Sequence, residues 1–513
     1  MVKSNATNAT HFKPEPASQA SVQMVRILLS CSLIFMCTGV ATLHARTLRV
    51  PKDFQSIQSA IDSAEATDVV LVEQGTYHER IVLKPGVILR SAGDDTLGKL
   101  GLARVEATIV DGALPANHRN VDMAGITMAE DAVLDGFTII GVGIYDDKKW
   151  QQHHETQGND QSHEHIGALG TPGISIVGID CEVRNNIVHH IGYTGIAIQG
   201  TEQRRCSPLI EGNICYRNMG GGIGSMHKST AVIRKNICFE NFYAGIGNDD
   251  ASPLIVENKC YENIRAGIGI SEESCPVVRG NQCYRNRRSG IGSRTLATTR
   301  PVIEDNDCYE NEMAGIGAEE NSAPVISKNR CYRNRLAGIG IRSHAMATIV
   351  GNECYENGTV GIGHESDSIT TLIGNHCHDN LEAGIGFSEC REGRSSLIEN
   401  RVIDNAKVAI GVREGWHVTA LRNELSREGG MPPIVMIFSG SQAYFLDNTV
   451  RGSGVAGIRV AGELNAVGNT IVCSQPRGGG PPNNGIWALP GSRVSSRNNQ
   501  FVGWRQDLAT PKE

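Results

Sequence analysis

The sequence predicts an all-β protein folded as a right-handed parallel β-helix, a solenoid in which each coil stacks on the previous one. Three observations lead to this prediction. A motif recurs about every 23 residues, glycine is abundant (59 of 513 residues) while aromatic residues make up only 5%, and the apolar segments are short. Self-similarity at a period of about 20 to 50 residues is typical of repeat architectures.

The repeat is defined by the motif Asn-x-Cys-Tyr-x-Asn, whose cysteines are spaced by 22 to 25 residues. These cysteines are Cys215, Cys238, Cys260, Cys283, Cys308, Cys331, Cys354 and Cys377. A Gly-Ile-Gly segment follows each motif, with the isoleucines Ile223, Ile246, Ile268, Ile291, Ile316, Ile339, Ile362 and Ile385. A short apolar stretch then precedes the next motif. Each repeat therefore contains three short strands, separated by turns that Asn and Gly favour.

Three strands in so few residues make one coil, and each strand pairs with its equivalents in the neighbouring coils, about 4.8 Å away. In-register stacking places equivalent residues above one another. We expect the cysteines, the isoleucines of Gly-Ile-Gly and the apolar residues of the third strand to point inward, and the Asn side chains to bond to their equivalents. Weaker repeats on both sides extend the stack to roughly 13 coils.

The chain is expected to begin with an export signal. Residues 1–23 are interpreted as an upstream misreading of the start or as disordered, and residues 24–45 as a secretory signal peptide, with a membrane anchor as the alternative. Residues 46–115 form the N-terminal cap and first coils, residues 116–503 the β-helix, and residues 504–513 a C-terminal tail. The helical spacing of Ile57, Ala60 and Ile61 predicts a capping helix over the open end of the solenoid. The protein would be periplasmic or extracellular.

Charge and hydropathy restrict the partners. The net charge is −7 without a basic stripe, which argues against nucleic acid as a partner. The hydrophobic fraction of 40% is too high for a wholly disordered chain. No second long apolar run follows the signal, so no membrane span is expected after its cleavage. The sequence leaves the oligomeric state open.

The first coils and the repeats resemble those of pectin-lyase-like β-helix proteins. The resemblance covers residues 46 to about 503 and rests on the generic parallel β-helix repeat and on the segments Ile57-Gln58-x-Ala60-Ile61, Val70-x-Val72, Gly75-Thr76-Tyr77-x-Glu79 and Ile81. The family includes pectate lyases, polygalacturonases, alginate epimerases and, more weakly similar to this chain, periplasmic accessory proteins of nitrous oxide reductase maturation. The Asp-Pro-His-Asp motif of the epimerases and the Gly-His-Gly motif of the polygalacturonases are absent from the sequence. The resemblance therefore implies the fold but assigns no catalytic residue, and enzymatic activity stays open.

The loop after Gly-Ile-Gly is the most highly charged part of the repeat. Three residues past each isoleucine stand Met226, Asp249, Ser271, Arg294, Glu319, Arg342, Glu365 and Ser388, and beside them Asp250, Glu272, Glu273, Glu320, His344 and His364. We expect both glycines of the motif to face outward and to leave a flat floor beside this charged wall, a groove for an acidic or neutral polysaccharide. Carboxylates on adjacent coils would lie about 5 Å apart, near the separation in retaining glycosidases. The alternative is a structural ladder of charges of alternating sign.

The catalytic candidates in this groove are Asp249, Asp250, Glu272, Glu273, Arg294, Glu319 and Arg342. The resemblance implies a polysaccharide lyase or glycoside hydrolase-like activity, if there is one, with calcium held by the acidic cluster and an arginine as the base.

A histidine-rich insertion at residues 145–172 offers a second site. It contains His153, His154, His163 and His165, and imidazoles suit copper, zinc or nickel. A solvated polar loop is the alternative, and His189 and His190 are possible further ligands. This insertion supports a second functional hypothesis, a periplasmic accessory protein that handles metal, copper above all.

Two further sets of equivalent residues, the aromatic residues and the cysteines of the motif, are interpreted as structural. The aromatic residues that follow the cysteines are expected to stack on one another, with a sugar-binding platform as the alternative, and the cysteines are expected to be reduced core thiols. The leading hypothesis is an exported protein that binds, and in its stronger form modifies, a polysaccharide along one face of the solenoid. Metal handling is the first alternative, and a non-catalytic structural or adhesion solenoid is the second.

Overall fold

The computed structural model describes residues 45–115, 118, 120–156, 170–475 and 483–511. Within them the chain is an all-β parallel solenoid, as predicted, and it contains three short helices where one was expected. Each coil contributes one strand to each of three parallel sheets, named here sheet 1, sheet 2 and sheet 3 in the order in which the chain enters them. Residues 1–44, and with them nearly all of the predicted signal peptide, lie outside the described residues.

The strands of the three sheets follow one another in chain order. Sheet 1 consists of Thr47–Val50, Val69–Val72, Ile88–Ser91, Val133–Asp135, Glu182–Arg184, Leu209–Glu211, Val232–Arg234, Leu254–Val256, Val277–Arg279, Val302–Glu304, Val325–Ser327, Met346–Val350, Ile369–Ile373, Gly393–Ile398, Trp416–Leu421, Gln442–Leu446, Glu463–Val467 and Arg493–Arg497. Sheet 2 consists of Gly75–Tyr77, Thr108–Asp111, Thr138–Ile140, Ile187–His189, Ile214–Tyr216, Ile237–Phe239, Lys259–Tyr261, Gln282–Tyr284, Asp307–Tyr309, Arg330–Tyr332, Glu353–Tyr355, His376–His378, Arg401–Ile403, Glu424–Arg427, Thr449–Gly452, Thr470–Cys473 and Gln500–Val502. Sheet 3 consists of Ile81–Val82, Ile126–Thr127, Ile174–Val177, Ile196–Gln199, Ile223–Met226, Ile246–Asp249, Ile268–Ser271, Ile291–Ser293, Ile316–Ala318, Ile339–Ile341, Val360–His364, Ala383–Phe387, Val408–Val412, Val435–Ile437, Ala456–Val460, Asn484–Ala488 and Gln506–Ala509.

The solenoid is longer than the expected 13 or so coils. Sheet 1 has 18 strands among the described residues. The additional coils lie at the two ends, where the chain keeps the alternation of inward and outward residues but lacks the Cys and Gly-Ile-Gly positions. The final strand, Gln506–Ala509, falls in the segment expected as a tail and pairs with Asn484–Ala488.

Equivalent residues stack in register, which explains the inward columns of the sequence. Cys260 pairs with Cys283 in sheet 2, and Ile268 pairs with Ile291 in sheet 3. All four side chains are fully buried. The inward positions of successive coils join into one continuous hydrophobic core from Val50 to Trp504. The cysteines among the described residues are all free, as expected.

Asparagine ladders close two of the turns. The Asn258 side-chain amide donates to Oδ1 of Asn281 at 3.0 Å, and the same oxygen accepts the backbone N–H of Asn258 at 2.9 Å. Both residues are buried. The expected bonding between equivalent asparagines is thus confirmed, and it satisfies polar groups that the coil stacking removes from water.

A helix caps the N-terminal end, as predicted. Helix α1 spans Ile57–Ser63 and is capped by Ser56, whose side chain accepts from the backbone N–H of Ser59. The Glu79 carboxylate accepts two further N–H groups of the first turn, at 2.8 and 2.9 Å. Helices α2 (Ala103–Ala107) and α3 (Asp147–Glu155) lie in connections between strands. No helix in the described part of the chain is long and apolar enough to cross a membrane.

The histidine-rich insertion is more ordered at its start than a solvated loop would be. Its first part forms α3, which buries Trp150 in a small cluster with Phe242 and Ile264. The Trp150 indole N–H donates to the Glu240 carbonyl at 2.8 Å. The large aromatic side chain anchors the insertion to the coil wall, so the alternative of a purely solvated loop was wrong for residues 147–155.

Candidate functional site

A long groove follows the outer face of sheet 3. Its volume is about 1390 Å³, and it extends from the coil of Tyr193 to the coil of Trp487. These positions lie twelve coil steps apart, so the groove is about 58 Å long at 4.8 Å per coil. A depression of this length on a rigid sheet is suited to an extended chain rather than to a compact small molecule.

The floor of the groove is built from small residues. The second glycine of each Gly-Ile-Gly lies on it, and at Gly247 no atom lies within 4 Å of the place where a Cβ would stand. The first glycine does not face outward, contrary to the expectation for both. A Cβ on Gly290 would lie 2.7 Å from the carbonyl oxygen of Gly315. The strand begins at the isoleucine, so the preceding glycine sits at the corner, where the next coil approaches closely.

One wall of the groove is the column predicted from the sequence. The residues three positions past each isoleucine all line the groove. They are Met226, Asp249, Ser271, Arg294, Glu319, Arg342, Glu365 and Ser388.

The catalytic candidates divide into two groups. Asp249, Arg294, Glu319 and Arg342 line the groove. The remaining candidates occupy the turn beyond the wall, in left-handed backbone conformation, and do not line the groove. These are Asp250, Glu272 and Glu273, with φ of 45°, 48° and 63°. His364, expected beside the wall, is fully buried beneath it.

Within the wall, Arg342 and Glu319 form an ion pair, with the Arg342 Nε 2.6 Å from Oε2 of Glu319. This contact is one step of the expected alternating ladder. Partial desolvation raises the pKa of Asp249, and the neighbouring Glu272 carboxylate raises it further. The wall therefore combines a neutralised pair with a carboxyl group that holds its proton more readily than a free aspartate.

The opposite wall was not anticipated. It is formed by the residues three positions before each isoleucine, and those that line the groove are Tyr193, Tyr243, Arg265, Arg288, Met313, Leu336, Thr359, Glu382 and Lys407. The chemistry of this column changes from coil to coil, so no repeated residue type marks it in the sequence. Its periodic position relative to the isoleucines is the signal that could have revealed it.

Arginines from both walls form a cluster in the N-terminal third of the groove, three and four coil steps from Tyr193. Desolvation lowers the pKa of Arg265 to about 10, and the positive charges of Arg288 and Arg294 contribute to this shift. The pKa of Arg288 is also lowered, mainly by desolvation. Guanidinium groups that repel one another across a groove produce a local positive field in a protein of net negative charge.

Aromatic side chains mark the two ends of the groove. Tyr193 and Tyr243 lie towards the N-terminal end. Towards the C-terminal end, the Arg413 guanidinium lies 5.0 Å from the ring of Phe438, and that of Arg459 lies 5.1 Å from Trp487. At the C-terminal end, therefore, each of these two rings carries a guanidinium group over one face.

The outer aromatic column on sheet 2 is a structural stack. Its rings follow one another at 4.9 to 5.1 Å with nearly parallel planes, from Tyr216 to His378. The charged residues that follow these aromatics pair across coils, for example Arg333 with Glu356 at 2.6 Å. Stacking between coils, the preferred interpretation, is confirmed.

The histidines proposed as metal ligands in the insertion do not all lie in the described part of the chain. His153 is buried, with its ring 4.8 Å from that of Phe242. His154 stacks on Trp150 at 4.9 Å, and its Nε2 lies 3.1 Å from a guanidinium nitrogen of Arg287. His163 and His165 lie outside the described residues, so metal binding by this set stays a prediction.

Three other residues bring possible metal-ligand atoms together. Glu353, His376 and His378 on sheet 2 place one ligand atom each within 4.8 Å of one another. No sequence motif marks this group, because the glutamate comes from one coil and the histidines from the next.

The chain was compared with known families, curated sequences and solved structures. The sequence matches the family described as right handed beta helix region over residues 172–301 and 292–425. No curated protein sequence matches the chain. Among solved structures, the A-module of mannuronan C-5 epimerase AlgE4 from Azotobacter vinelandii is similar at 15% identity and a TM-score of 0.30, over 89% of this chain and 92% of that one.

Two further solved structures are similar at comparable identity. A double mutant of the periplasmic alginate epimerase AlgG is 12% identical with a TM-score of 0.40, over 78% of this chain and 83% of that one. Pectate lyase Pel9A is 13% identical with a TM-score of 0.25, over 82% of this chain and 78% of that one. These similarities assign no role to any residue of the present chain.

Proposed function

Because the chain is a right-handed parallel β-helix repeat protein with a long groove on one flank, we propose that it binds an extended acidic polysaccharide in that groove. The arginine cluster is the observation that carries this proposal. Arg265 and Arg288 on one wall and Arg294 on the other face a floor of glycine and alanine. Guanidinium groups bind carboxylates in a planar, two-pronged geometry, which suits the uronate groups of an acidic polysaccharide.

The shape of the groove favours a polymer over a small ligand. From Gly224 to Gly411 every coil places a glycine at the floor position, so successive sugar units meet nearly the same surface there, whereas the last three coils of the groove place Met436, Arg459 and Trp487 at that position. The absence of side chains at positions such as Gly247 and Gly269 lets a flat sugar ring approach the backbone. The aromatic residues at the two ends would hold the parts of the chain that extend beyond the arginine cluster.

Polysaccharide modification is the stronger form of the proposal. Asp249 is the carboxyl group best suited to proton transfer, because its raised pKa brings it closer to neutral pH. It lines the groove near the arginine cluster. Product analysis after incubation with a bound polymer, with and without calcium, separates a binding protein from a lyase or a hydrolase.

The proposal is tested by titration calorimetry of the protein with polygalacturonate, alginate and a neutral glucan. We expect the polyuronates to bind, with affinity falling as salt is added, and the neutral glucan to bind at least tenfold more weakly. Arg288→Ala and Arg294→Ala should each weaken polyuronate binding about tenfold or more, since charge-assisted hydrogen bonds contribute about 1.5–3 kcal/mol.

Arg333→Ala is the matched control. Arg333 is an exposed arginine on sheet 2, paired with Glu356 outside the groove, and its loss should leave binding unchanged. Equal binding by wild type and both groove variants, or binding of the neutral glucan alone, would overturn the proposal of an acidic ligand at this cluster.

A further inference from the structure

We propose that Glu353, His376 and His378 form a binding site for a divalent transition-metal ion, for which zinc serves as the reference. All three residues lie on the outer face of sheet 2, and none of them lines the groove on sheet 3. The site is therefore independent of polysaccharide binding. It is also distinct from the histidine-rich insertion at residues 145–172.

The stacking of two coils assembles the ligands. The strands Glu353–Tyr355 and His376–His378 pair in parallel, with Glu353 directly opposite His376. His376 and His378 are two residues apart in a strand, so both imidazoles project from the same face. Their ring centroids lie 4.4 Å apart.

The distances between the ligand atoms fit a metal ion. Oε1 of Glu353 lies 3.5 Å from Nε2 of His378 and 3.7 Å from Nδ1 of His376. In a tetrahedral zinc site with metal–ligand bonds of about 2.0–2.2 Å, neighbouring ligand atoms are separated by about 3.4 Å. The two histidine ligand atoms lie within 4.8 Å of each other, so the three side chains would draw together around one ion and leave a fourth position for water.

The tautomer of His378 aims a lone pair at the centre of this group. Its Nδ1 lies 2.7 Å from Oδ2 of Asp379, a distance at which the Nδ1–H donates to the carboxylate. Its Nε2 is buried from water and has no hydrogen-bond partner within the described ranges. With the proton of a neutral His378 on Nδ1, the Nε2 lone pair faces the Glu353 carboxylate, and a bound cation would satisfy both groups. A carboxylate on the far nitrogen is the usual second-sphere partner of a metal-bound imidazole.

Glu353 is not engaged by the arginine of the preceding coil. Arg330 stands opposite Glu353 in the register of sheet 2 but pairs with Asp307 on its other side, with two contacts of 2.7 Å. The Glu353 carboxylate therefore faces the two histidines. At the equivalent positions of neighbouring coils, Arg330 pairs with Asp307 and Arg401 with Glu424. At Glu353, the His376 imidazole stands where an arginine would pair with the carboxylate.

Arg401 competes with the metal for His376. Its Nη1 lies 3.0 Å from Nε2 of His376, which accepts this hydrogen bond only when its proton is on Nδ1. Metal binding at Nδ1 would move that proton to Nε2 and end this hydrogen bond, while Arg401 keeps its ion pair with Glu424, whose Oε2 lies 3.3 Å from the Arg401 Nε. Removal of the Arg401 guanidinium should therefore strengthen metal binding.

The experiment is a calorimetric titration of the untagged, chelator-stripped protein with Zn²⁺, with metal content measured after dialysis. The variants His376→Gln and His378→Tyr install the residues that an equivalent coil carries as Gln282 and Tyr284, so they preserve the fold. We expect about one Zn²⁺ per chain at this site, at least tenfold weaker binding in each variant and in Glu353→Gln, and tighter binding in Arg401→Gln.

Two controls separate this site from others. His417→Gln alters an exposed histidine elsewhere on the solenoid and should change nothing. Deletion of residues 157–169 removes the central part of the insertion and should leave one bound Zn²⁺. Failure of the wild type to bind Zn²⁺, or binding that survives His376→Gln and His378→Tyr but is lost with the deletion, would overturn the proposal.

Discussion

Asn263 and Asn286 occupy the same position in successive coils, and the Asn263 side-chain amide donates a 3.0 Å hydrogen bond to Oδ1 of Asn286. The same oxygen accepts the backbone N–H of Asn263 at 3.2 Å. The Asn286 amide in turn donates to the Cys260 carbonyl at 3.0 Å and to the next asparagine, Asn311, at 3.0 Å. Each buried asparagine thus satisfies polar groups of two neighbouring coils, and the ladder is as much a part of the core as the isoleucine column.

Asn286→Ala should destabilise the solenoid by about 3 kcal/mol or more, because it leaves several buried donors and acceptors unpaired, each costing about 1–3 kcal/mol. The measurement is the urea midpoint followed by circular dichroism. Gln282→Ala is the control, since Gln282 lies on the outer face of the same coil and should shift the midpoint little. A midpoint for Asn286→Ala equal to that of the control would contradict a structural role for the ladder.

Substitution by alanine should destabilise the protein at the first glycine of one Gly-Ile-Gly and leave its stability nearly unchanged at the second. In Gly290→Ala, the added Cβ would lie 2.7 Å from the Gly315 carbonyl oxygen and 2.8 Å from the Asn311 amide nitrogen. We expect a loss of about 2 kcal/mol or more from this overpacking. In Gly292→Ala, the nearest atom would lie 4.0 Å away, so stability should stay within about 0.5 kcal/mol of the wild type.

A larger side chain at the floor position tests the groove itself. Gly292→Phe should leave the urea midpoint nearly unchanged and block polyuronate binding, because the ring would stand in the path of the polymer. Undiminished polyuronate binding by a folded Gly292→Phe protein would show that the polymer does not bind on this floor.

Inward positions could be predicted from the sequence because they repeat one residue type. Cys260 and Ile268 recur in every central coil, and their burial follows from in-register stacking alone. The second groove wall could not be predicted in this way, since the column that holds Arg265 holds Tyr243 in one neighbouring coil and Met313 two coils later. The place of this wall depends on the path of the turn that precedes each strand of sheet 3.

The proposed metal site and the environment of the first glycine could not be predicted from the sequence for a related reason. Glu353 and His376 are 23 residues apart, and their contact depends on the register between two coils. The first glycine of the motif was expected on the floor because strand alternation places both neighbours of an inward isoleucine outside. The strand starts at the isoleucine, so alternation does not extend to that glycine, and the approach of the next coil determines its environment.

His364 makes the fold sensitive to acid. The side chain is fully buried, its Nδ1–H donates to the Gly386 carbonyl at 3.2 Å, and its Nε2 lies 3.0 Å from the Thr370 hydroxyl. Desolvation lowers the pKa of His364 to about 4, against about 6.5 for an unfolded histidine. Between these two values the unfolded chain binds the proton and the folded chain does not, so stability is full above about pH 6.5 and falls as the pH drops towards 4.

His364→Ile tests this, because the equivalent position in the preceding coil is Ile341 and that in the following coil is Phe387. Between pH 7.5 and pH 5, the wild type should lose about 2 kcal/mol more stability than the variant. The reason is that unfolding of the wild type at low pH lets the His364 imidazole take up a proton, whereas the isoleucine of the variant binds none. Urea midpoints of both proteins at the two pH values measure this difference. Parallel losses in wild type and variant would show that the His364 imidazole takes up its proton as readily in the folded protein as in the unfolded chain, so that its pKa is not lowered, and that other groups cause the acid sensitivity.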